Sequence, residues 1–163
     1  MSQPDFTVDI YQNEYIPEGG QDVNAVVTVA ASGTATQASV SEANSAEIII
    51  IDCSGSMGDP HAKIAEAQAA TAAAVDVIRD GVAFAVIAGT HLATPVFPAD
   101  GTLTVAGPQT REQAKRAVAR LRPGGGTAIG QWLRMAYELF ASHPAQLRHA
   151  ILLTDGQNKH ETV

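Results

Sequence analysis

The chain has 163 residues, 45% of them hydrophobic and 17% charged, which is enough for one globular domain with a core and too apolar for a disordered tail. A formal net charge of −7 with no basic cluster argues against a nucleic-acid partner, whose phosphates would be repelled. The single cysteine, Cys53, excludes an intramolecular disulfide and a cysteine-based zinc site, and no apolar run reaches the ~18 residues of a membrane helix.

The N-terminal "MSQPDFTVDIY" has neither a basic region nor an apolar core, so it does not read as a signal peptide. A soluble, cytoplasmic chain is expected; a leader or anchor in a longer parent protein is compatible with the sequence. "FTVDIYQNEYI" alternates as a strand, with Phe6, Val8 and Ile10 on one side and Thr7 and Asp9 on the other. "PEGG", residues 17–20, signals a turn, and "VNAVVTVAAS" is a second strand candidate. Residues 1–46 thus predict a β-hairpin or two strands of a sandwich, ending in the small, polar linker "GTATQASVSEANSA".

The rhythm changes at Glu47. "EIIIID" is an unbroken apolar run, as a parallel strand buried on both faces requires. "PHAKIAEAQAATAAAVDVIRDG" predicts a helix with Ile64, Ala67, Thr71, Val75 and Ile78 on one stripe and Gly81 as its stop. "VAFAVIAGT" is another buried strand. "HLATPVFPADGTLTVAG" predicts a hairpin-like excursion with "TLTVA" as an edge strand. "TREQAKRAVARL" opens on a capping box, Thr110 with Gln113, and "RPGGGT" follows as a loop. "AIGQWLRMAYELFASH" predicts a helix with Ile129, Leu133, Ala136 and Phe140 inward and Pro144 ending it, with Trp132 and Tyr137 core or half-buried. "HAILLTDG" is a third buried strand.

Buried strands alternating with helices predict an α/β, Rossmann-like layered fold with a mainly parallel sheet, and ligands in such folds sit beyond the carboxyl ends of the strands. Asp52 and Asp155 both occupy that position. Asp52 has no Lys or Arg after it until Lys63, so a positive charge from outside the chain is expected there. Ser54 and Ser56 alternate around Gly55 and so point the same way, while Thr127 follows the flexible "GGG". Asp52, Ser54, Ser56, Thr127 and Asp155 make a set of small oxygen donors suited to a hard divalent cation. Taken singly, each has an ordinary reading as a strand-end acid or a helix N-cap.

"DCSGSM" resembles the D-x-S-x-S signature that begins the metal-ion-dependent adhesion site (MIDAS) of the von Willebrand factor type A (VWA) domain. "GGGT" with Thr127 and "LLTDG" with Asp155 match the family's later threonine and aspartate, so the resemblance runs over residues 47–156 in the right order. It implies hydroxyl ligation of Mg²⁺, or of Mn²⁺ or Ca²⁺, by Ser54, Ser56 and Thr127, with Asp52 and Asp155 holding the ion through waters. It also implies a protein partner that completes the shell with an Asp or Glu. A subunit of a chelatase- or AAA⁺-ATPase-associated complex is the alternative, and a metal-dependent phosphatase-like enzyme a distant one.

Other enzyme readings fare worse. A haloacid dehalogenase-type D-x-D has Ser54 at its third position here, and a hydrolase elbow has Asp52 where a glycine belongs. No Walker lysine follows the glycines. Cys53 reads as a buried strand-end residue, and the five histidines form no i, i+4 pair on a helix, so zinc is not expected. The family normally continues past the strand that ends here near Asp155. The chain is therefore expected to be the N-terminal portion of a longer VWA protein of bacterial type, with domains 1–46 and 47–163. Its missing strands would come from a companion chain or be replaced by self-association.

Overall fold

The computed structural model describes residues 5–12, 25–32, 44–58 and 62–155. The chain divides into two compact units, Met1–Ser39 and Val40–Val163. In the first, β1 (Asp5–Gln12) and β2 (Ala25–Ser32) pair antiparallel with Val8 opposite Val29, the hairpin-like of the two arrangements expected. The proposed turn at residues 17–20 lies outside the described residues. Val8 is exposed, so along β1 the alternation of side chains does not translate into burial at that position.

The second unit is built on a five-stranded sheet. Its order is β5–β4–β3–β7, with β6 also on β4. The strands are β3 (Ser45–Asp52), β4 (Ala83–Gly89), β5 (Ala93–Phe97), β6 (Thr104–Val105) and β7 (Leu147–Leu153). β3 pairs parallel with β4 and with β7, so the carboxyl ends of all three lie at one edge. The 93–105 excursion yields two strands where one was expected, for both Ala93–Phe97 and the two-residue Thr104–Val105 pair antiparallel with β4. The element order from Glu47 accordingly gains a strand.

Ile48, Ile49, Ile50 and Ile51 are all essentially inaccessible, and they divide by parity. Ile49 and Ile51 pack with helices α1 (Ala62–Val77) and α2 (Pro108–Val118), whereas Ile48 and Ile50 pack with α3 (Ile129–Ala141). Period-two alternation thus feeds two cores from one strand. Each fully buried isoleucine contributes roughly 1.5–3 kcal/mol of transfer free energy. The α1 stripe is as expected: Ile64, Ala67, Thr71, Val75 and Ile78 are all buried. Thr71 satisfies its hydroxyl by donating to the Ala67 carbonyl one turn back, at 2.8 Å. Gly81 has a left-handed φ of 90°, but it turns the chain into β4 four residues after the last helical residue, so it does not cap α1.

Two helix readings need correction. Thr110 is not the N-cap of α2. Gly107 caps that helix, Pro108 takes the first helical position, and the Thr110 hydroxyl accepts from the Gly107 N–H at 2.9 Å. Proline fits there because its missing N–H would have no helical partner. In α3, Ile129, Ala136 and Phe140 pack against the core as expected, but Leu133 does not. Trp132, Ala136 and Leu139 are buried, while Leu133 and Tyr137 are exposed. The larger ring takes the core position that a simple stripe gave to leucine, because a glycine on β4 leaves room for it. The helix stops at Ala141, three residues ahead of Pro144.

Candidate functional site

Asp52 is the last residue of β3 and is wholly buried. Its Oδ1 accepts from the Ser54 N–H at 2.8 Å, and its Oδ2 accepts from the Thr154 hydroxyl at 2.8 Å. The second bond follows from register: Ile51 sits opposite Leu153, which brings the next residues, Asp52 and Thr154, side by side. Beyond Cys53 the chain tightens into a 3₁₀ turn, Gly55–Gly58, rather than the extended turn expected, yet Ser54 and Ser56 do converge, with their Oγ atoms 3.0 Å apart.

The glycine loop closes over this turn through backbone bonds. Gly124 N–H donates to the Cys53 carbonyl at 2.8 Å, and Gly55 N–H donates to the Gly125 carbonyl at 2.9 Å. Gly125 has φ 74°, and a Cβ there would lie 2.7 Å from Nδ1 of His91. Both facts require glycine. Thr127, two residues on, is buried and precedes Ala128, the N-cap of α3. It is therefore not a helix cap. The loop is held from the far side by Thr90, whose carbonyl accepts from Ala128 N–H at 3.0 Å and from Trp132 Nε1 at 2.6 Å. Gly89 makes this docking possible, because a Cβ on it would fall 2.3 Å from the Trp132 ring.

Asp155 lies one residue beyond Thr154. Its Oδ2 accepts from Lys63 Nζ at 3.1 Å, and the same ammonium reaches the Ser56 carbonyl at 3.4 Å. Lys63 thus pairs with Asp155 and not with Asp52. Among the described residues no cationic side chain pairs with Asp52. Thr154, Thr90 and Gly89 escaped the sequence reading, and Lys63 was noted only as the first cation after Asp52, without its pairing to Asp155. The alternation in "LLTDG" offered a signal for Thr154; the others depend on contacts far apart in the chain.

Burial pushes the Cys53 thiol up to about 11, and the neighbouring Asp52 charge adds to the shift. The thiol is therefore protonated at neutral pH and unsuited to nucleophilic attack. Among the described residues no three His, Cys, Asp or Glu side chains gather to hold a metal, so a cation here would depend on hydroxyls. The donor chemistry fits one. Adjacent ligands of an octahedral Mg²⁺, at about 2.1 Å from the ion, lie about 3.0 Å apart. The Ser54 and Ser56 oxygens already have that 3.0 Å spacing.

The von Willebrand factor type A domain model matches residues 48–157. The chain belongs to this family. Among solved structures, the VWA domain is similar to a von Willebrand factor type A protein from Catenulispora acidiphila, with 46% identity and a TM-score of 0.73. That match covers 98% of this chain and 35% of the other. The three N-terminal domains of the type V pili tip protein from Porphyromonas gingivalis match at 20% identity and TM-score 0.59, covering 95% of this chain and 27% of that one. At that identity the likeness is one of fold. Proximal thread matrix protein 1 from the mussel byssus matches at 29% identity and TM-score 0.56, covering 72% and 30%. The VWA chain spans about a third of the length of these relatives. No match was found among curated proteins.

Proposed function

We propose that this VWA domain is a metal-dependent interaction module. It binds Mg²⁺, with Mn²⁺ or Ca²⁺ as substitutes, at a MIDAS formed by Asp52, Ser54, Ser56, Thr127 and Asp155, and through the ion it takes an Asp or Glu side chain of a partner protein. The observation that carries the reading is Asp52: a carboxylate with no measurable exposure, held by two neutral donors and paired with no cationic side chain of the described residues. A buried charge of this kind is costly unless an opposite charge meets it.

The chain's own residues supply the rest. The Ser54 N–H and the Thr154 hydroxyl fix the orientation of the Asp52 carboxylate, and the paired hydroxyls of Ser54 and Ser56 offer two neighbouring oxygens. A bound cation would supply positive charge that neutral hydroxyls quench poorly, which leaves it attractive to an outside carboxylate. Such a carboxylate, desolvated on docking, would act as an interface hot spot. A binding module fits better than an enzyme, because both Asp52 oxygens are engaged in bonds within the site and the Cys53 thiol is buried.

The experiment is calorimetric titration with Mn²⁺ and Mg²⁺. One-to-one binding of modest affinity is expected in the wild type. Asp52→Ala abolishes it, while Ser54→Ala and Thr127→Ala weaken it less, since water can take the place of a hydroxyl. Equal Mn²⁺ uptake by wild type and Asp52→Ala overturns the assignment.

A further inference from the structure

We propose that Lys63 is a tethered counter-ion of this site, which a divalent cation must displace from Asp155, and that it thereby sets the metal affinity. The inference rests on the divalent-cation reading above and deepens it. Lys63 stands in the first turn of α1, and its ammonium bridges two parts of the site that are distant in sequence: the Ser56 carbonyl in the 3₁₀ turn and the Asp155 carboxylate beyond β7. A fixed positive charge therefore lies against one of the two acids of the site.

Two effects follow, and both act against a metal. The ion pair must be loosened before the Asp155 oxygen can serve a cation or its waters. Any divalent ion that enters also meets the like charge of the ammonium at short range, where screening by solvent is incomplete. The Lys63 side chain is 35% exposed and that of Asp155 15%, so the pair is screened only in part, and a released ammonium has water to return to. Lys63 and Asp155 also line the same open groove between α1 and β7, of about 410 Å³, which gives ions and solvent access to the pair. An uncharged side chain at position 63 removes both the ion pair and the repulsion. Lys63 is on this account a positioning residue: it stabilises the metal-free site and restrains cation uptake until a further carboxylate, from the partner, joins the shell.

The test uses the full-length protein with Lys63→Met, Lys63→Arg and Asp155→Asn. Calorimetry should show Lys63→Met binding Mn²⁺ about two- to fivefold more tightly than wild type, the order given by removing a partly screened charge pair. Lys63→Arg, which keeps the charge, should retain the wild-type affinity. A readout without metal accompanies it: in EDTA, the melting temperatures of Lys63→Met, Asp155→Asn and the double variant should be non-additive, as expected of two residues in direct contact. Equal or weaker Mn²⁺ binding by Lys63→Met, with the wild type still binding, overturns the role of Lys63 and leaves the metal site standing. Additive melting shifts overturn it as well. Folded wild type and Lys63→Met that both fail to bind Mn²⁺ overturn the metal reading and this inference together.

Discussion

Asp52 and Cys53 are adjacent, equally buried, and face opposite fates. The carboxylate is held charged-side out to two donors at the sheet edge, whereas the thiol is sealed among Ile49, Ile51 and Met57. Its raised pKa of about 11, against an ordinary 9.0, has a defined consequence. Below pH 9 both folded and unfolded chains keep the thiol proton and the contribution to stability is intact. Between pH 9 and about 11 only the unfolded chain loses it, so stability falls as pH rises, by about 2–3 kcal/mol at the upper end. The measurement is alkylation by iodoacetamide in EDTA. At pH 8 the folded chain should react at least a hundredfold more slowly than the urea-unfolded chain; comparable rates would contradict the buried thiol.

At the scale of elements, the decisive contact is the seat of α3 on β4. Trp132 is fully buried against Gly89, and its indole nitrogen is tied to the Thr90 carbonyl. The ring cannot retreat without breaking that bond, so Gly89→Ala forces β4 and α3 apart. A loss of at least ~1–3 kcal/mol is expected from overpacking of this kind, measured by urea unfolding. Because Ala128 shares the Thr90 carbonyl, the same change should shift the loop that carries Thr127 and weaken metal binding as well. Wild-type stability in Gly89→Ala would mean that the helix does not sit as described. On the opposite face, α1 and α2 are joined by polar contacts at their rims. Gln68 Nε2 donates to the Val118 and Leu121 carbonyls at the end of α2, and Lys115 bonds Asp76 of α1 while also pairing with Glu112 of its own helix. The hydrogen bond to Asp76 leads the effects that raise the Lys115 pKa.

For the molecule as a whole, β7 is the element that invites association. It pairs with β3 along one side, and among the described residues no strand pairs its other side. Natural edges are blunted by charge, proline or bulges; Arg148 and His149 stand exposed in the first half of β7, whereas its "AILL" half has none of these. Leu147 at its start is exposed, and Ile151, Leu152 and Leu153 are only partly covered. An uncovered β7 edge is expected to pair with a companion strand or with a second copy. Size-exclusion chromatography with light scattering, taken to high concentration, is the check. A monomer that unfolds cooperatively would show the edge to be closed by other means.

Much of this was legible in the chain itself. The run Ile48 to Ile51 and the α1 stripe follow from local periodicity, and local periodicity dictates which faces are buried. The spacing of Asp52, Ser54 and Ser56 likewise fixes their proximity, since only a short turn separates them. What the sequence could not give were relations between elements. Whether Trp132 or Leu133 enters the core depends on the absence of a side chain at Gly89, 43 positions away by numbering. The N-cap of α2 moved to Gly107 because Pro108 and the Thr110 hydroxyl together satisfy that end. The partners of the two acids were decided by the register of β7 on β3, which set Thr154 against Asp52 and left Asp155 to Lys63. Register is a property of two strands at once, and packing of two elements at once; a single pass along one chain carries the period of each but not the phase between them.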